Sequence, residues 1–110
     1  MRFITLDEAK EYLRVDSSDE DAIMHSLLMA AGNLCRDVAR LTDAQWADVD
    51  SDKSSSKYYS RSELAGIRET MRVAVLYALG YLYEHREEAD HHALALTLRS
   101  LLFGIREGVV

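Results

Sequence analysis

A mainly α-helical fold is predicted from three observations. Apolar residues recur at three–four spacing in four separate stretches. The chain has no proline and only five glycines, which favours helices joined by polar links over a many-stranded sheet. Short Ser/Thr/Asp/Glu clusters of the helix-capping type precede the apolar stretches. The expected architecture is a four-helix domain: a short helix, two long helices and a C-terminal helix, with a long central loop or hairpin arm. The 110 residues form one domain, 1–110, with the loop or arm at 42–61 and a tail at 104–110. A hydrophobic content of 48% supplies a small core, to which association with copies or partners would add.

The first helix opens at Thr5-Leu6-Asp7-Glu8, a capping box in which the Thr5 hydroxyl and the Glu8 carboxylate each accept from the other's backbone N–H. Leu6, Ala9 and Leu13 share one face, and the helix is expected to stop near Val15. Asp16 to Ser18 form a turn, and Ser18 with Asp21 repeats the capping logic. Asp19, Glu20 and Asp21 stand where the helix dipole favours negative charge. The second helix is expected to run to about Leu41, burying Ile23, Leu27, Ala30, Ala31, Leu34, Val38 and Leu41 as one stripe. Gly32 within it costs roughly 1 kcal/mol against alanine. Either a neighbouring backbone comes close there or the defect is tolerated.

From Thr42 to Arg61, "TDAQWADVDSDKSSSKYYSR", no apolar period is sustained. The segment is acidic at first (Asp43, Asp48, Asp50, Asp52) and then serine-rich and basic. Connections of this length are usually functional or mobile. Either Gln45–Val49 and Lys57–Ser60 pair as a hairpin anchored by Trp46 and Tyr58–Tyr59, or Trp46 caps the helical core. Ser60-Arg61-Ser62-Glu63 is a further capping box, opening a helix expected to reach about Glu88. Leu64, Ile67, Met71 and Val75 mark its first half. From Val73 to Tyr83 it is apolar nearly all round, as in a central helix or a protein interface. Asp90 starts the last helix, with Leu94, Leu98, Leu101 and Leu102 on its apolar side, and "GIREGVV" ends the chain with little structure of its own.

The net charge of −6 argues against broad gripping of a phosphate backbone. The lone Cys35 forms no internal disulfide and reads as a small core residue in a reducing compartment. The start, MRFITLDEAK, has no apolar signal-peptide region, and Val73–Tyr83 is well short of the roughly 20 residues of a membrane span. Histidines and carboxylates are densest in "YEHREEADHH". His85, Glu88, His91 and His92 are the candidate metal or acid–base group. His85 and Glu88 share a helical face, but adjacent His91 and His92 diverge, and nothing like HExxH is present. A solvated corner between helices is the favoured reading, with no catalytic residue, metal or cofactor.

Two segments, "ITLDEAKEYLRVDSSDEDAIMHSLLMAAGNLC" (Ile4 to Cys35) and "VAVLYALGYLYEHREEAD" (Val73 to Asp90), resemble the small head–tail connector (head-completion or adaptor) family of tailed bacteriophages and prophages. The resemblance rests on Ile4, Thr5, Leu6, Glu8, Ala9, Lys10, Leu13, Arg14, Asp16, Glu20, Asp21 and Ile23, then on Leu76, Leu79, Tyr83, Glu84, Arg86 and Glu87. Tyr81-Leu82 stands where the family often has His-Trp. The resemblance implies a mainly helical subunit without enzymatic activity. Copies of it would form a ring, dodecameric in the virion, below the portal protein, extend the DNA channel and carry the tail or a stopper protein. DNA would pass without sequence-specific binding. The protein would be made in the host cytoplasm and reside at the head–tail junction of the virion, with no membrane partner. Leu76, Leu79, Tyr83 and Arg86 are then expected at subunit contacts, with Arg14, Arg36 and Arg40 setting register against Glu84, Glu87 and Glu88. Asp43, Trp46, Asp48, Asp50 and Asp52 are expected at the lumen or rim, and Gly104–Val110 against the portal. The alternatives are a small helical interaction module, such as a regulator or adaptor, and a metal-dependent enzyme built on the histidine group.

Overall fold

The computed structural model describes residues 1–87 and 90–106, which form six helices and no strand. They are α1 (Leu6–Leu13), α2 (Asp21–Val38), α3 (Asp43–Val49), α4 (Arg61–Glu84), α5 (His92–Leu101) and α6 (Phe103–Arg106). The mainly helical class holds, with two helices more than the four expected. α4 is the spine. Its 24 residues span about 36 Å at ~1.5 Å per residue, nearly the whole 40 Å long dimension. α1, α2, α3 and α5 pack around its sides, and α6 packs on α5.

Helix starts follow local chemistry where capping boxes stand. Thr5 and Glu8 exchange both bonds, at 3.1 and 3.4 Å. Ser60 and Glu63 do so at 3.3 and 3.0 Å. Backbone bonds to Ser60 hold the Glu63 carboxyl below its ordinary value. α2 departs from expectation: it starts after Glu20 without a side-chain cap, and Ser18 does not act as one. The acidic side chains there are drawn to other helices instead. Asp21 forms an ion pair with Lys10 of α1 at 2.8 Å, and Glu20 reaches the end of α4. α5 begins at His92, whose backbone N–H donates to the Asp90 carboxylate at 2.9 Å.

The hairpin arm is not formed. Thr42-Asp43-Ala44-Gln45 is itself a capping box, with bonds of 3.1 and 3.0 Å, and it opens the short helix α3 across Gln45–Val49. At the end of α3 Val49 is fully buried, tying this helix to the core. The sequence expectation failed because so short a helix shows no apolar period. Of the tail, Gly104–Arg106 belong to α6 with Ile105 buried, while residues 107–110 lie outside the described residues.

The core runs along α4 through Leu64, Ile67, Met71, Ala74, Val75, Ala78 and Leu79. It meets Leu28, Ala31 and Cys35 of α2 and Leu94, Leu98 and Leu102 from the C-terminal helices. Burying each large side chain contributes about 1.5–3 kcal/mol. The buried stripe of α2 is Met24, Leu28, Ala31 and Cys35, while Ile23 is 48% exposed and Leu27, Leu34 and Val38 are half-buried. Ala31 and Leu41 are buried as expected, Ala30 is exposed, and elsewhere the buried positions lie one residue from the expected ones with the same three–four period. Burial pushes the Cys35 thiol up to about 12, so it is neutral and inert. At Gly32 the close neighbour is the flexible Met1 side chain, not a backbone.

Candidate functional site

The two sequence segments of most distinctive pattern meet in space. Glu20, before α2, accepts a hydrogen bond from the Tyr83 hydroxyl at 3.0 Å and lies 3.5 Å from the Arg86 guanidinium. Arg86 stacks over the Tyr83 ring at 4.9 Å. The acceptor carboxylate on Glu20 raises the Tyr83 hydroxyl above its ordinary value. Nearby, Arg72 of α4 pairs with Glu8 of α1 and donates to the Phe3 carbonyl at 2.9 Å. That guanidinium lowers the Glu8 carboxyl from its ordinary 4.5. These contacts clamp the first turn of α1 against the middle of α4, and the start of α2 against its C-terminal end.

Beside the clamp lies an open groove of about 430 Å³, lined by Tyr12, Leu13, Arg14, Tyr77, Gly80, Tyr81, Tyr83 and Glu84. Tyr12 is half exposed, and Val73 and Tyr77 on the outer side of α4 are 58% and 42% exposed. The region that is apolar on all sides in sequence is therefore covered on its core side only. Gly80 forms the groove floor, where an added Cβ would stand 3.4 Å from the Tyr12 ring.

Of the residues expected at subunit contacts, Arg14, Tyr83 and Glu84 line this groove and Leu76 lines its continuation beside Glu8 and Glu11. Glu87 is exposed beyond the end of α4. Leu79 is fully buried in the chain's own core, so its side chain has no surface left for a neighbour. Arg36 pairs within the chain with Asp43 at the start of α3. Arg14 and Arg40 are exposed, and both adopt left-handed backbone conformations, φ 58° and 57°. Glu88 lies outside the described residues.

The acidic segment is largely tied down. Asp48 is buried and accepts from Lys53 Nζ at 3.0 Å, which holds its carboxyl below the ordinary 3.8. It is thus not a free charge for a lumen. Asp50 accepts from the Arg2 backbone N–H at 2.7 Å, and Asp52 lies 4.0 Å from the Arg2 guanidinium. Trp46 is half-buried, edge-on to Phe3 at 5.9 Å, which is the capping role and not a hairpin anchor.

The organiser of this segment, missed in sequence, is Arg68 on α4. It donates to the carbonyls of Val49 (3.0 Å), Asp48 (2.9 Å) and Lys53 (2.7 Å), and to Ser51 Oγ (3.3 Å). A cation at the C-terminal end of α3 satisfies orphan carbonyls and suits the helix dipole. The available signal was position: Arg68 directly follows the core residue Ile67 on a helix facing the break in the pattern.

The histidines form a stack on one tyrosine. His85 lies parallel to Tyr81 at 4.1 Å with Nδ1 2.9 Å from its carbonyl, and His91 meets the same ring edge-on at 5.8 Å. His92 is exposed. Among the described residues no group of His, Cys, Asp and Glu side chains is placed to hold a metal ion. No described helix is long and apolar enough to cross a membrane.

The described residues form a helical body clamped by ion pairs, with an apolar groove left open. The chain belongs to the phage gp6-like head-tail connector protein family, whose model matches residues 3–107, nearly its whole length. That family is a structural one and not a family of enzymes, so the protein is a structural connector component of a phage particle. No curated protein and no solved structure matches the chain.

Proposed function

We propose that copies of this chain form a ring below the portal protein, extend the DNA channel and present a platform to the tail or a stopper protein. The observation that carries this reading is the uncovered apolar side of α4. Val73 and Tyr77 are 58% and 42% exposed on the helix whose opposite side builds the core. A family built for assembly gives that surface a use.

The net charge of −6 suits a channel through which DNA slides without adhering. Asp43, Asp50 and Asp52 are the acidic residues of the α3 region proposed for the lumen or rim, and Asp48 is not among them. The C-terminal residues from Gly104 onward are proposed to meet the portal. Synthesis takes place in the host cytoplasm before assembly into the virion.

Light scattering over a concentration series, with negative-stain images of large species, tests the reading. Rings with a central hole are expected, alone or on purified portal. A monomer that neither assembles nor binds portal would overturn it, and would leave a small helical interaction module as the better description.

A further inference from the structure

Two apolar surfaces stay open after the core is built, and they share no lining residue. The first is the groove between α1 and α4, with Tyr12 50% and Tyr77 42% exposed. The second runs along α5 and α6, where Leu96 and Phe103 are 50% and 60% exposed beside Arg99. It continues past Arg99 to a shallow basin lined by Arg40 and Asp37.

The charges at these surfaces are opposite. The first carries Glu84 and, in its continuation, the exposed Glu11, against Arg14. The second carries Arg40 and Arg99 against Asp37, leaving Arg106 aside. Among the described residues, no ion pair within the chain uses Glu11, Glu84, Arg40 or Arg99.

The backbone adds an independent observation. Arg14 and Arg40 each close a helix in the left-handed region, with paired bonds back into the last turn: Arg14 N–H to Glu11 and Val15 N–H to Lys10, then Arg40 N–H to Asp37 and Leu41 N–H to Arg36. This is the Schellman arrangement, where glycine is the unstrained residue and an arginine costs about 1 kcal/mol. Among the described residues, neither guanidinium forms an ion pair to offset that. One such arginine stands at each surface, as strain kept for a contact outside the chain would have it.

We propose that the two surfaces are the halves of one head-to-tail contact between copies of this chain. The ridge of Leu96 and Phe103 seats in the tyrosine groove of the next copy, and Arg99 and Arg40 face its Glu84 and Glu11. The proposal rests on the ring reading and adds which surfaces close the ring. Two different patches make a heterologous contact that repeats around an axis, whereas like on like would stop at a two-fold dimer. Tyrosines give such a contact anchors of low conformational entropy.

The test places the photo-crosslinker p-benzoylphenylalanine at position 77 of the full chain, irradiates concentrated protein and portal-bound assemblies, and maps the joined peptides by mass spectrometry. A link from position 77 to the 92–106 segment of another copy is expected. Links to α1 or α4 of another copy, links to a different protein only, or no links would overturn the proposal.

Charge exchange supplies the second arm. Glu84→Arg and Arg99→Glu, both at exposed positions, should each weaken self-association about tenfold, and the double variant should recover it to within about threefold. Circular dichroism checks that each variant folds. Rings that form with unchanged affinity in both single variants would sink this pairing while leaving the ring reading intact. Absence of rings in any preparation would sink the ring reading as well.

Discussion

Along its first half α4 reaches out and closes a neighbour; along its second half it is left open. Arg68 saturates the carbonyls at the end of α3 and holds the following turn, while Asp48, Lys53 and Ser51 complete the cluster. Within about three turns Val73 and Tyr77 stand in solvent, next to a groove whose rim charges Arg14 and Glu84 enter no ion pair among the described residues. The contrast separates two uses of a polar-to-apolar boundary. Where every donor has an acceptor the surface is finished and serves stability. Where apolar area and charge remain uncommitted the surface can serve association.

The contrast is sharpest between two residues of the same helix. Leu79→Ala, at a fully buried position, should cost about 3–4 kcal/mol in denaturant unfolding. Tyr77→Ala should change monomer stability by less than about 1 kcal/mol and yet weaken assembly, read by light scattering. Equal losses of monomer stability in the two variants would erase the distinction.

Next in size, Arg68→Met should destabilise the chain by about 2–3 kcal/mol, because several carbonyls lose a charged donor at once. Hydrogen exchange should show residues 48–53 released with α3, while amides of the groove keep their protection. Release of the groove at the same time would mean that the two halves of α4 are one cooperative unit.

A smaller effect follows from pH. The Asp48, Glu63 and Glu8 carboxyls are held below their ordinary values of 3.8, 4.5 and 4.5 by Lys53, Ser60 and Arg72 in turn. The unfolded chain therefore binds more protons than the native one in the acid range. Their contribution is present above about pH 4.5 and is lost as pH falls below it. Lys53→Met should flatten the acid side of the Tm–pH profile, and an unchanged profile would deny Asp48 its share.

The smallest change expected is a gain. An added Cβ at Gly66 meets nothing within 4 Å, so Gly66→Ala should stabilise the helix by about 1 kcal/mol without altering assembly. A loss of stability in thermal melts would show that this part of α4 has a hidden close neighbour.

The sequence reading and the structure agree where the signal is local. The boxes at Thr5 and Ser60 give helix starts that need no tertiary partner, since both bonds form within one turn. The box at Thr42 is equally local, but α3 has only seven residues, too few for an apolar period to mark it as a helix. Agreement fails where two choices satisfy the same pattern. Ile23 and Met24 head parallel stripes on α2, and periodicity alone does not choose between them. Ser18 met the rule for a cap and does not act as one. Asp21 and Glu20 turn to Lys10, Tyr83 and Arg86, partners far away in sequence. Leu79 matches a family position but lies on the core-facing side of α4, not on its outer side.

The chain by itself determined the helical class, two of its capped starts, its acidic balance and the pairing of two patterned segments that marks the connector family. Each depends on spacing of a few residues, on composition or on residue identity, and these survive without knowledge of the neighbours. Only the tertiary structure decided which stripe of α2 is buried, that Arg68 rather than an acidic side chain organises the central segment, and that Val73 and Tyr77 stay outside while Leu79 does not. The reason is geometric. On a helix apolar nearly all round, side chains are nearly equivalent until other helices arrive, and which side they cover depends on the packing of the whole chain.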